Sequence, residues 1–232
     1  DRSKNIVICT HVNPDGDAIG SSLAMRHYFE RKGKEAIVIV PNIFPDFLKW
    51  LPGADDILVH AKQETQAKAA IEAADLVVVC DLNQSARLAN MEEDILASKA
   101  PRILIDHHLD PDMGFCRHIV SEPTMCATGE VICRLFTDMG EMDNISENEA
   151  ICLYTAMMCD TGAFSFNSNR PVIYEHISRL LSHGIDKDLI YRNVFWTASE
   201  ARLRLQGYLL YVNMKVLYNR HAAIITLTNE ER

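Results

Sequence analysis

Short apolar runs alternate with helix-spaced segments through the first half of this chain, and most of those runs end at an acid or a histidine. Asn5 to Thr10 is rich in β-formers and leads straight into His11-Val12-Asn13-Pro14-Asp15-Gly16-Asp17. Ala18 to Arg31 carries Ile19, Leu23, Met25, His27 and Phe29 at helical spacing until Gly33 stops it. Glu35 to Val40 predicts a second strand closed by Pro41, Ile57 to Val59 a short one, and Gln63 to Ala73 a helix. Leu76 to Cys80 is strongly β-branched and ends at Asp81. Ala86 to Ala97 has the spacing of a helix, and Arg102 to Ile105 predicts a further strand that delivers Asp106-His107-His108. This alternation predicts an α/β fold, a mainly parallel sheet flanked by helices.

Beyond the Asp-His-His triplet the pattern turns helical. Thr128 to Asp138, Glu147 to Met158, Pro171 to Ser182 and Asp186 to Val194 read as helices. Gly140, Gly162 and Gly184 punctuate them, Pro171 opens one, and Ser146 with Glu149 forms a capping box. The tail changes again, with Tyr208 to Tyr218 and His221 to Thr228 reading as two strands around Asn219-Arg220. One hairpin cannot bury a face by itself. The expected organisation is therefore a first domain over residues 1–185, followed over 186–232 by linker helices and the start of a second, β-containing domain that the chain does not complete.

A chain of 232 residues, 48% hydrophobic and 24% charged, supplies one large core or a main domain with part of another. No apolar stretch approaches the roughly 20 residues that span a bilayer, and no leader with a cleavage site opens the sequence, so a cytoplasmic location and no membrane partner are expected. Seven cysteines without a CxxC pair, several of them inside apolar runs, read as reduced core residues. The net charge of −9 disfavours a grip on long duplex nucleic acid, which needs clustered Lys and Arg. Divalent cations bound in an acidic cleft place positive charge where a small phosphorylated substrate enters.

Taken singly, the candidate site residues have ordinary explanations. Asn13-Pro14-Asp15-Gly16 is a turn signal, with Asp17 available to cap the next helix, and Gly16 permits a tight backbone there. Asp81 and Asp106 serve as turn or cap acids, and Asp160-Thr161-Gly162 as a helix stop. Their conjunction carries the argument, because ligands in a doubly wound sheet gather beyond the carboxyl ends of its strands. So many acids in one place raise one another's pKa values unless cations offset them. Hard carboxylates mixed with imidazole suit Mn²⁺, with Mg²⁺ or Co²⁺ as substitutes.

The series His11-xxx-Asp15-x-Asp17, Asp81, Asp106-His107-His108 and Asp160-Thr161-Gly162-xx-Ser165, with Phe164 and Phe166, resembles the four motifs of the DHH phosphoesterases. That superfamily includes RecJ-type exonucleases and family II inorganic pyrophosphatases. The run His11 to Ser22 is most similar to its nano-RNase/pAp-phosphatase subgroup. The resemblance implies two Mn²⁺ ions, one on His11 and Asp15, the other on Asp17 and His107, with Asp81 and Asp160 bridging or facing both. It implies that His108 touches the scissile phosphate and that Asp106 orients the neighbouring imidazole. Arg87 is placed to reach a second phosphate, or else is an ordinary exposed helix arginine.

The expected reaction is Mn²⁺-dependent hydrolysis of short oligoribonucleotides and adenosine 3′,5′-bisphosphate by two-metal activation of water. The rival substrates are a cyclic dinucleotide such as cyclic di-AMP with its linear product, polyphosphate and pyrophosphate. A metal-dependent nucleotide sensor is the non-enzymatic rival, and a homodimer is compatible with the sequence. Ser168-Asn169-Arg170 departs from the paired threonines common in the subgroup, and no glycine-rich segment ending in His follows.

Overall fold

The structure, a computed structural model, describes residues 3–231. Six parallel strands form one sheet: β1 (Asn5–Cys9), β2 (Glu35–Val40), β3 (Leu58–Val59), β4 (Leu76–Cys80), β5 (Arg102–Asp106) and β6 (His118–Ser121). Their spatial order is β3-β2-β1-β4-β5-β6, so the chain reverses its direction of travel between β1 and β4. The crevice beyond the carboxyl ends of those two strands is the topological switch point, where ligands bind in open sheets. Register aligns the ends, with Cys9 opposite Val79 and Cys80 opposite Ile105.

Both faces of the sheet are covered, which is why its strands read as continuous apolar runs rather than alternating ones. Ile8, Val78 and Cys80 point into a core shared with α1 (Gly16–Arg31), α4 (Thr128–Asp138), α5 (Glu147–Asp160), α6 (Pro171–Ser182) and α7 (Lys187–Phe195). Val7, Cys9, Val77 and Val79 point the other way, against α2 (Glu64–Ala73) and α3 (Glu92–Ala97). All seven thiols are unpaired and six are buried, as small apolar side chains of these cores.

Three segments depart from the sequence reading. Ala86 to Ala97 is a 3₁₀ stretch over Ser85–Met91 that breaks at Ala89 (φ 49°) and continues as α3. Leu88 and Met91, on either side of the break, are both fully buried. Strand β6 gives little warning in the sequence, since only four residues pair and only with β5. Of the first expected tail strand, Tyr208 to Tyr218, Tyr208 ends α8 (Glu200–Tyr208) and Leu209–Asn213 form a π turn, leaving four residues of strand.

The chain divides into two compact units, the first ending at Val194 and the second beginning at Phe195. The second contains α8 and an antiparallel pair, β7 (Met214–Leu217) and β8 (Ala222–Ile225), with Met214 opposite Ile225. Glu231 ties this unit together, its carboxylate accepting from the Tyr208 hydroxyl at 2.7 Å and the Thr228 amide at 2.9 Å. Among the described residues no helix is long and apolar enough to cross a membrane.

Candidate metal centre

Every acid and histidine singled out in the sequence arrives at the carboxyl edge of the sheet. After β1, the chain turns through Asn13 (φ 55°), whose side chain accepts from Asn42 at 2.8 Å. Asp15 then caps α1, its Oδ1 accepting from the amides of Asp17 and Ala18 at 3.0 Å each. The cap is thus Asp15, not Asp17, and the helix starts two residues earlier than its apolar spacing suggests. Gly16 lies inside that helix and turns nothing. Its role is close packing, because a Cβ there would sit 2.2 Å from Cys159 Sγ on α5. The approach of α1 to α5 brings Asp15 and Asp17 to Asp160, the last residue of α5.

Asp17 is fully buried yet well satisfied. Its carboxylate accepts from the amides of Thr128 (2.6 Å) and Gly129 (3.0 Å) at the start of α4, and from the Ser21 hydroxyl at 3.0 Å. A helix N-terminus offers free N–H groups to an anion, and here that anion is a side chain of the same molecule. Thr128 also donates its hydroxyl to Asp81 Oδ1 at 3.0 Å. Thr128 is not among the site residues expected from the sequence, and its one signal there is the helix start at Thr128 that has to meet the acidic loops.

Asp81 follows β4 with φ 61°, a left-handed conformation that non-glycine residues adopt at a cost and mostly at functional sites. His11 Nε2 lies 3.4 Å from Asp81 Oδ2 and 4.0 Å from Asp15 Oδ1. His107 Nε2 lies 3.5 Å from Asp160, 3.7 Å from Asp81 and 3.8 Å from Asp17. Both rings face a backbone carbonyl with Nδ1, His11 that of Val12 at 2.8 Å and His107 that of Met125 at 3.3 Å. Each Nδ1–H therefore donates inward and leaves Nε2 as a lone pair aimed among the carboxylates, the tautomer a metal requires.

His108 is held differently. Asp106, wholly buried at the end of β5, accepts from His108 Nδ1 at 2.7 Å and from its amide at 3.0 Å. The outer nitrogen, Nε2, accepts from Arg87 Nη1 at 3.1 Å. The Arg87 carbonyl in turn accepts from the Val12 amide at 2.8 Å, which ties this 3₁₀ stretch to the loop bearing His11.

Burial and mutual repulsion shift the carboxylates of this cluster in the direction that a bound cation would relieve. Burial first, then the charges of Asp17 and Asp15, pushes the Asp81 carboxyl well above the usual carboxylate range. Burial also raises Asp17, against the favourable pull of His107 and of its amide donors. Asp160 is pushed up to about 6, by burial and then by Asp17. His11 is lowered by burial and stays neutral. Two groups, His11 with Asp15 and Asp81, and Asp17 with His107 and Asp160, each bring three ligand atoms within 4.8 Å of one another. A third group, Asp81, His107 and His108, overlaps both of the predicted ligand sets with the ring nearest Arg87. Such a donor set fits divalent cations, whose charge lets buried carboxylates ionise.

Sheet order, switch point and this cluster define a parallel α/β protein built around an acid and imidazole centre. Residues 5–157 match the description "DHH family, N-terminal domain", and the chain belongs to the DHH family. It is similar to an exopolyphosphatase-related protein from Bacteroides fragilis known from a crystal structure. That likeness has 50% identity and a TM-score of 0.95, and covers 99% of this chain and 67% of that one. It is also 29% identical over 181 residues to the bifunctional oligoribonuclease and PAP phosphatase NrnA of Thermus thermophilus (78% of this chain, 50% of that protein). To the cyclic-di-AMP phosphodiesterase PdeA of Listeria monocytogenes it is 26% identical over 196 residues (82% of this chain, 29% of that protein). The chain thus spans half or less of the length of the latter two relatives.

Proposed function

We propose that this chain carries the metal-dependent catalytic centre of a phosphoesterase that hydrolyses short oligoribonucleotides and adenosine 3′,5′-bisphosphate. The carrying observation is the pair of three-ligand groups, His11 with Asp15 and Asp81 and Asp17 with His107 and Asp160, with Asp81 also 3.7 Å from His107 of the second group. In this reading His11 and Asp15 hold one Mn²⁺, Asp17 and His107 the other, with Asp81 and Asp160 between them; Mg²⁺ or Co²⁺ substitutes. When bound, the cations supply Lewis acidity that acidifies water at neutral pH and offsets phosphoryl charge.

The chain's own residues do the rest. In this reading His108, fixed by the buried carboxylate of Asp106, gives up its contact with Arg87 when substrate binds and, carrying a proton on Nε2, donates to the phosphoryl oxygens beside the Arg87 guanidinium. Hydrolysis forms a bond from a water oxygen to phosphorus and breaks the ester bond, and negative charge grows on the oxygens these two groups face. A donor that meets charge developing in the transition state is commonly worth a factor on the order of 10² in rate. Half-exposed Asp15 and Asp160 sit on the rim, and Asp17, Asp81 and Asp106 form the buried floor. The net charge of −9 supports small or short phosphorylated substrates over duplex nucleic acid.

The 50% identical relative described as exopolyphosphatase-related favours a second reading, polyphosphate hydrolysis at the same centre. A Mn²⁺-dependent panel of short 5′-phosphorylated RNA, adenosine 3′,5′-bisphosphate, cyclic di-AMP with its linear product, pyrophosphate and polyphosphate decides. Turnover of short RNA and the bisphosphate supports the proposal. Preference for polyphosphate or pyrophosphate transfers the assignment, and no hydrolysis of any of them, neither nucleotide nor phosphate released, leaves a nucleotide sensor.

A further inference from the structure

Glu130 is a fully buried carboxylate on α4 that none of the family motifs includes. It accepts from the amide of Cys126 at 2.7 Å. That amide belongs to the peptide whose carbonyl is Met125 O, the group His107 Nδ1 faces at 3.3 Å. One peptide unit therefore has a carboxylate on its N–H and the imidazole on its C=O. Arg170, at the N-cap of α6, reaches the same carboxylate, its Nη2 lying 2.6 Å from Glu130 Oε1. This is the arginine of the Ser168-Asn169-Arg170 departure, which the centre itself does not use.

We infer that Glu130, paired with Arg170, is a positioning residue that acts through the Met125–Cys126 peptide on His107. The inference rests on the reading of His107 as a metal ligand. A carboxylate on the N–H side polarises the peptide, so its carbonyl accepts more strongly from Nδ1–H, because hydrogen bonds in a chain reinforce one another where the dielectric is low. That fixes the tautomer and the ring plane and makes Nε2 a better donor to a cation. A metal-bound histidine commonly has such a partner on its other nitrogen, and here a peptide bond is inserted between carboxylate and ring. Burying Glu130 charged is unfavourable without a counter-ion, and Arg170 supplies one across 40 residues of sequence.

The competing view makes the Glu130–Arg170 pair a plain tie between α4 and α6, and two measurements on the whole chain separate them. Glu130→Gln keeps the shape and an oxygen for the Cys126 amide while removing the charge. Glu130→Gln with Arg170→Met removes both charges, so that no guanidinium is stranded if the single variant folds poorly. Nitrogen-detected spectra of the metal-free protein report the His107 tautomer: one Nδ1–H form is expected in the wild type and a mixture with the Nε2–H form in both variants. Calorimetry with Mn²⁺ should show one of two sites weakened by about tenfold or more while the other stays within about threefold. An unchanged tautomer together with two sites of wild-type affinity overturns the inference and leaves the metal reading standing. A wild type that binds no Mn²⁺ overturns the metal reading, and the tautomer measurement still decides whether Glu130 governs His107.

Discussion

His107 and His108 are adjacent in sequence, yet one turns its outer nitrogen into a basket of three carboxylates and the other toward an arginine. His107→Ala is accordingly expected to weaken Mn²⁺ binding, whereas His108→Ala should lower kcat by a factor on the order of 10² with little change in Mn²⁺ affinity. Calorimetry and steady-state kinetics on the two variants check this, and the reverse pattern contradicts the roles. The raised carboxyl of Asp160 gives a pH dependence with a definite sign. Its folded-state pKa of about 6 exceeds the ordinary 3.8, so the metal-free fold holds that proton more tightly than the unfolded chain. Stability of the metal-free protein should therefore fall as pH rises from about 4 to about 6 and carry the full penalty above that. Mn²⁺ competes with the proton, so the rise in Tm on adding Mn²⁺ should be larger at about pH 8 than at about pH 5. A metal-induced shift that does not grow with pH is the contrary result. The acids and histidines of the cluster were legible in the sequence because they stand at or just after the ends of apolar runs. Thr128 was not, because its bonds to Asp17 and Asp81 exist only once α4 is docked against the loops after β1 and β4, and Ser21 and Glu130 were not, because each bonds to a group four residues away at a spacing any helix offers.

At the scale of elements, α1 and α5 set the width of the centre, since Asp15 and Asp17 ride on the start of one and Asp160 on the end of the other. Gly16→Ala places a Cβ into Cys159, so the helices must part. A loss of roughly 1 to 3 kcal/mol in denaturant unfolding is expected, with weaker Mn²⁺ binding in the same variant. Lost stability with unchanged metal affinity would mean that helix spacing does not govern the centre. The far end of α5 is fastened by its capping box, where Glu149 accepts from the Ser146 amide at 2.7 Å and also from Arg31 of α1 at 3.0 Å. Ser146→Ala should lower stability by about 1 kcal/mol and leave Mn²⁺ binding alone, because the cap lies at the opposite end of the helix from Asp160. This box was readable as Ser-x-x-Glu before an apolar run. Strand β6 was not, since His118–Ser121 is an edge strand whose pairing with β5 is fixed by register rather than by its own apolar content. The break at Ala89 was equally hidden: residues 86–97 have helical spacing, and an alanine gives no warning of a positive φ.

For the molecule as a whole, strand order explains why motifs scattered from residue 11 to residue 160 meet. The sheet grows outward on both sides of β1 and β4, and the carboxyl ends of those two strands and β5 then share one edge. Alternation of strand and helix made the parallel sheet legible, whereas the tail did not declare its α8 and π turn, because Tyr208 to Asn213 carries the aromatic and branched residues that suit a strand equally well. If two divalent cations occupy the centre, Asp81, 3.4 Å from His11 Nε2 and 3.7 Å from His107 Nε2, would lie within reach of both. Calorimetric titration of the metal-free chain with Mn²⁺, beside Asp81→Ala, tests this. The expected result is two Mn²⁺ per wild-type chain, and for Asp81→Ala a lost or strongly weakened site with the fold intact by circular dichroism. One Mn²⁺ or none in the wild type at saturation, or two undisturbed sites in Asp81→Ala, would contradict it.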